Sequence, residues 1–113
     1  MAAHSDLDRA ELLARMGGDH DLMQEVIAAF LAEVPERLSA LRAAAEAGDG
    51  NLVKRTAHSF KGSITIFPSR AALEAISAVE LAGLANDREG AQRAIASLGE
   101  AIDRLVADLR EGA

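Results

Sequence analysis

The chain has 113 residues, which fits one domain over 1–113 with its core at about 8–111. Half of the residues are apolar, but only three are Phe and none is Tyr or Trp, so an Ala- and Leu-rich core of helices is favoured over strands. The formal charge of −6 is spread along the chain, which disfavours nucleic acid as a partner, and the absence of Cys excludes disulfides and thiolate metal sites.

Helical periodicity recurs along the chain, while strand alternation does not. A short first helix is expected from about residue 8 to 16, ended by Gly17 and Gly18. Asp19 is placed to cap a long second helix reaching about residue 47, with Leu22, Val26, Phe30, Val34, Leu38 and Leu41 as its apolar stripe. Pro35 falls inside that helix. An interior proline removes a backbone hydrogen bond and costs about 3 kcal/mol, so a kink or short break is expected there. Gly48, Asp49 and Gly50 form a loop. A third helix follows over about 51–67, with Val53, Ala57, Phe60, Ile64 and Phe67 spaced by four and three. Pro68 and Ser69 mark the next junction, because proline disfavours helix at the residue before it. The fourth helix covers about 69–86, with Ala72, Ile76, Val79 and Gly83 facing inward. Asp87 caps the fifth, whose stripe is Ile95, Leu98, Ile102, Leu105 and Leu109. Four long amphipathic helices with short connections predict an all-α fold: an antiparallel up-down-up-down four-helix bundle with a short additional N-terminal helix.

The chemistry concentrates in the third helix, around His58. Surface neighbours on a helix lie three and four residues apart, so His58 has Lys54 and Arg55 one turn before it and Lys61 and Gly62 one turn after. Standing one position past the inward Ala57, its ring belongs at the edge of the core face, within reach of solvent. Cations on both sides suit an imidazole that becomes negatively charged after modification. The chain has ten Arg and only two Lys, and both Lys flank His58. Gly62 costs about 1 kcal/mol in a helix interior relative to Ala. Its lack of a side chain either admits a partner surface close to the ring or serves a close helix–helix contact. A solvated basic face with an ordinary surface His is the plainer alternative.

The run His58-Ser59-Phe60-Lys61-Gly62-Ser63 closely resembles the H-[ST]-x-K-G-[SAG] signature of histidine-containing phosphotransfer (HPt) domains. The resemblance extends over about residues 11–109. Glu11-Leu12-Leu13 with Gly17-Gly18-Asp19 looks like the family's opening helix and turn, Phe30-Leu31 with Pro35 like its second helix, and Ala47-Gly48-Asp49 like the loop before the phosphoacceptor helix. Ile66 and Pro68 stand where the family often shows Asn and Gly, and Leu84 where polar residues are frequent. These departures bear on the loop and on partner choice.

The resemblance implies that His58 is phosphorylated on Nε2, with Lys61 beside the phosphoryl group. It further implies that Glu80, 22 positions on, accepts a hydrogen bond from Nδ1–H. The implied role is a phosphorelay carrier in two-component signal transduction, loaded from a receiver-domain aspartate and discharged to another receiver. Its partners would be response-regulator receiver domains, and a hybrid histidine kinase, meeting a surface of Lys54, Arg55, Ser59, Gly62 and Leu84. No cofactor is expected; Mg²⁺ would come with the receiver. With no Gly-rich phosphate loop, the chain is expected to have no ATP-dependent kinase activity of its own. It is expected to act as a monomer in the cytoplasm, since no run of about 18 apolar residues exists and residues 1–7 lack a signal-peptide layout. Three rivals stand beside this reading. One is a degenerate module that binds receivers without being phosphorylated. Another is the phosphoacceptor region of a histidine kinase, which would have an acidic residue where Ser59 stands. The last is a metal site using His4 or His20, which lack ligand spacing.

Overall fold

A computed structural model describes residues 5–111, and these form five helices with no strand among them: α1 (Arg9–Arg15), α2 (His20–Glu46), α3 (Gly50–Ile64), α4 (Arg70–Leu84) and α5 (Arg88–Glu111). Their starts are set by one device. The side chains of Asp8, Asp19, Asp49, Ser69 and Asp87 each accept a hydrogen bond from the backbone N–H three residues on, at 2.9–3.3 Å. Each such cap satisfies an otherwise orphaned helix donor, for about 1 kcal/mol. The expected caps Asp19 and Asp87 are among them.

Chain reversals after α2 and α4 use the same geometry. Gly48 (φ 72°) and Asn86 (φ 53°) adopt the left-handed conformation, and the following N–H bonds back five residues, Asp49 to Ala44 O at 3.2 Å and Asp87 to Ala82 O at 3.0 Å. Connections this short bring consecutive helices side by side. α3 packs on α2 and α4, and α5 packs on α4 and α2, closing a four-helix ring consistent with the expected bundle.

Three local expectations are corrected. At the start of α2, Met23 and Ile27 are buried in place of Leu22, which is exposed, and Val26, which is only partly covered. The stripe rejoins its expected phase at Phe30, Val34, Leu38 and Leu41. The spacing 23-27-30-34 fits the helix as well as 22-26-30-34, so packing against the neighbouring helices decides which pair is buried. Secondly, α2 runs unbroken through Pro35. The proline lies on the solvent side, where water can satisfy the carbonyl it leaves free, while Val34 and Leu38 anchor the helix inward. Thirdly, α3 ends at Ile64, three residues early. Phe67 is nevertheless buried, its ring tilted at 47° against Phe30 with centroids 4.5 Å apart, so the chain leaves the helix yet keeps its apolar anchor. The inward faces of α4 and α5 match expectation at every named position.

Two features fix the histidine helix. At one end, α3 and α4 approach backbone to backbone: a Cβ on Gly83 would stand 2.7 Å from Lys54 N and 2.9 Å from Gly50 O. At the other, Arg15 of α1 donates to the carbonyls of Thr65 and Ile66 at 3.0 and 3.1 Å, covering the end of α3. The atypical Ile66-Phe67-Pro68 exit is held further by Asp8 N donating to Pro68 O at 3.2 Å.

Candidate functional site

The inward stripe of α3 is fully buried at Ala57, Phe60 and Ile64, so the phase of the helix turns His58 outward. Its side chain is 77 % exposed, yet the ring is not free to rotate. Nδ1 lies 2.8 Å from Glu80 Oε2 on α4. The second carboxylate oxygen, Oε1, is 3.4 Å from Lys61 Nζ. Glu80 thus collects both residues across the α3–α4 contact whose spacing Gly83 sets.

The hydrogen bond from His58 holds the Glu80 carboxyl below its ordinary range, aided by the Lys61 ammonium and against the opposing pull of burial. An ionised carboxylate can only accept. In the neutral ring the proton therefore sits on Nδ1, and Nε2 carries the lone pair into solvent. Lys61 is partly buried beside Glu80.

Gly62 is exposed, and a Cβ built there would meet nothing within 4 Å. The alternative of a helix–helix contact at Gly62 is excluded; that role belongs to Gly83. Lys54, Arg55, His58, Glu80, Leu81 and Leu84 line one open groove between α3 and α4. Leu84 is 66 % exposed and Leu81 64 % exposed, the two barest large apolar side chains described. Leu81 was not anticipated from the sequence, although its place three residues before Leu84 on the same helix was a usable signal.

Ser59 faces the other flank, where its hydroxyl accepts from Arg37 Nη1 of α2 at 2.9 Å. Arg37 Nε in turn donates to Glu33 Oε1 at 2.9 Å, and Ser63 Oγ donates to the same oxygen at 2.7 Å. No sequence spacing pointed to this network, because it joins residues 22 and 30 positions apart on two helices. Among the described residues no three His, Cys, Asp or Glu side chains converge as a metal site would require. His20 opens α2 as an exposed residue, and His4 lies outside the described residues.

Comparison with known proteins bears on the fold and the family. The crystal structure of histidine-containing phosphotransfer protein B from Pseudomonas aeruginosa PAO1 superposes with a TM-score of 0.85, covering 94 % of this chain and 92 % of that one at 23 % identity. At that identity the likeness concerns the fold. No curated protein sequence matches the chain. The family model of the Hpt domain, however, matches residues 25–112, most of the chain and all of the site described above, and the chain belongs to the Hpt domain family.

Proposed function

We propose that His58 is the phosphoacceptor of this phosphorelay carrier of two-component signalling, taking a phosphoryl group from a receiver-domain aspartate on Nε2 and passing it to another receiver. The observation that carries the assignment is the 2.8 Å contact from Nδ1 to Glu80 beneath a ring that is otherwise open to solvent. Attack by the Nε2 lone pair forms the P–N bond as the P–O bond to the partner's aspartate breaks, and the aspartate leaves as a carboxylate. No proton need move. The ring, keeping its proton on Nδ1, gains positive charge that the Glu80 carboxylate offsets at hydrogen-bond distance. Lys61, one turn from His58, is close enough along the helix to meet the incoming phosphoryl oxygens. Lys54, Arg55, Ser59, Gly62 and Leu84 form the surface that meets the receiver, joined by Leu81.

Positioning and charge neutralisation supply most of phosphoryl-transfer catalysis, and a carrier needs little more. Mg²⁺ enters with the receiver in this reading, and the chain has no ATP-dependent kinase activity of its own. It works as a monomer in the cytoplasm; no described helix is long and apolar enough to cross a membrane.

The test follows label from a phosphorylated receiver domain. Wild type should take up label that is lost in acid and survives base, as a P–N bond requires. His58→Gln should take up none. Label retained by His58→Gln would sink the assignment; a wild type that binds receivers yet takes up no label would instead leave the degenerate binding module as the better reading.

A further inference from the structure

The network on the α2 flank of the histidine helix has no part in the chemistry at Nε2, yet it fixes a guanidinium one residue away from the phosphoacceptor. Arg37 is held at two points: Nε donates to Glu33 Oε1 and Nη1 to Ser59 Oγ, each at 2.9 Å. Glu33 is itself anchored by Ser63 Oγ at 2.7 Å. Both serines belong to the helix of His58, and they bracket Lys61 and Gly62 along it. Nη2 has no partner among the described residues, and the side chain is about one-third exposed.

We infer that Arg37 is a docking residue, presenting the free end of its ordered guanidinium to a carboxylate on the surface of the receiver domain. The inference rests on the proposed function. Three observations carry it beyond a mere clamp between α2 and α3. Gly62 makes the ridge of α3 bare at its centre, so a partner seated over His58 and Gly62 reaches both flanks. One flank is apolar, with Leu81 and Leu84; the other offers Arg37. The chain as a whole carries −6, so an acidic partner surface is attracted only where cations gather, and Arg37 completes, from a second helix, the set formed by Lys54, Arg55 and Lys61. An arginine immobilised beforehand loses little side-chain entropy when it binds, and its planar fork matches a carboxylate in a way that lysine does not.

The probe is the receiver domain of the same organism that, phosphorylated, loads wild-type His58 fastest. Arg37→Gln should raise KM for this donor about five- to tenfold with kcat unchanged, and Arg37→Lys should raise it less. Ser63→Ala, which loosens the far end of the network but keeps the Arg37 guanidinium and its bond to Ser59, should raise KM well below the Arg37→Gln effect and leave kcat as in wild type. An unchanged KM in an Arg37→Gln variant folded by circular dichroism overturns the inference. So does a fall in kcat at constant KM, or a Ser63→Ala variant with the same defect, since each marks a structural role. Should Arg37→Gln fail to fold, Arg37→Lys decides the matter by whether its KM rises. Phosphoramidate, a small donor that needs no docking, separates this test from the one beneath it. If neither it nor any phosphorylated receiver labels His58 in wild type, the phosphoacceptor assignment falls; if His58 is labelled and the Arg37 variants keep wild-type KM, only the docking role falls.

Discussion

His58 Nδ1 and Glu80 Oε2 stand 2.8 Å apart across the α3–α4 contact, and a carboxylate in that place can only accept. The tautomer is therefore decided by the acceptor. With the proton on Nδ1, Nε2 holds the free lone pair that the proposed transfer uses. Glu80→Ala removes one charge-assisted hydrogen bond, on the order of 1.5 kcal/mol, and should slow transfer about tenfold. In ¹⁵N spectra of the neutral ring, wild type should show a predominantly Nδ1–H tautomer and Glu80→Ala a mixture. A single unchanged tautomer in the variant would show that Glu80 does not set it.

The Glu80 bond also has a pH signature. Its carboxyl is depressed in the folded protein, so its contribution is present above the unfolded pKa and fades as pH falls through the lower folded one. The Nδ1 contact should accordingly survive below the pH at which an ordinary glutamate protonates. A titration of the Glu80 carboxyl carbon by NMR checks this, and a midpoint at or above the ordinary glutamate value would contradict it. Asp6 should behave in the same direction. Burial pushes its pKa upward, but the Ser69 hydroxyl at 2.6 Å and the Ala71 N–H at 3.0 Å outweigh it, and the net shift is downward. Its protonation loosens the start of α4, so acid should cost stability in wild type more than in Asp6→Asn.

Gly62 separates stability from function. Its added Cβ meets nothing, and Gly in a helix interior is worse than Ala by about 1 kcal/mol. Gly62→Ala should thus raise the melting temperature. Gly62→Gln should keep the fold by circular dichroism and slow transfer sharply, because its side chain stands where the receiver approaches. Unchanged transfer in Gly62→Gln would show that the partner does not pass over this position.

Gly83 makes the opposite case. A Cβ there would fall 2.7 Å from Lys54 N and 2.9 Å from Gly50 O, both backbone atoms that cannot rotate aside. Gly83→Ala should destabilise by about 1–3 kcal/mol, the range for overpacked cores. Any folded fraction should transfer more slowly, since pushing α4 from α3 lengthens the His58–Glu80 bond. Denaturant unfolding measures the first effect. A stability equal to wild type would mean that the two helices separate without cost.

The histidine site was legible in the sequence because its parts obey short-range rules. His58, Lys61 and Gly62 share one helix, where three- and four-residue spacing fixes neighbours, and Gly83 showed its inward place by the phase of α4. Glu80 was reached through the family resemblance, since nothing local tells a paired glutamate from a solvated one. What stayed hidden depends on how helices meet. Arg37 and Glu33 join Ser59 and Ser63 across the α2–α3 interface, which no spacing records. The start of α2 was misread because Leu22 and Val26 offer the same helical phase as Met23 and Ile27 to within one residue, and only the packing partner chooses. Pro35 was expected to kink or briefly break α2 on local cost alone; no break occurs, because burial of Val34 and Leu38 on either side holds the helix through it.

Lys61 is the residue whose surroundings change the expected energetics most. Its ammonium is 3.4 Å from Glu80 Oε1, so in the resting protein it already has a partner, and a phosphoryl group on Nε2 must compete for it. Two unit charges about 4 Å apart interact by roughly 1 kcal/mol in water and about 4 kcal/mol at the dielectric of a protein surface. Half-burial favours an intermediate value, and the lost Glu80 contact subtracts from the gain. Lys61→Ala should therefore slow transfer about tenfold, on the order of 1.4 kcal/mol, without abolishing it. Salt should shrink that effect, whereas the short-range Glu80–His58 bond should respond less. Because both residues touch the same carboxylate, Lys61→Ala combined with Glu80→Ala should cost less than the sum of the two alone. Single-turnover transfer for the two variants and the double variant, at low and high salt, measures all of these. If Lys61→Ala is as inactive as His58→Gln in a folded protein, the lysine takes part directly in the chemistry and the electrostatic account is wrong. If the double variant shows full additivity, the Lys61–Glu80 contact has no energetic consequence for transfer.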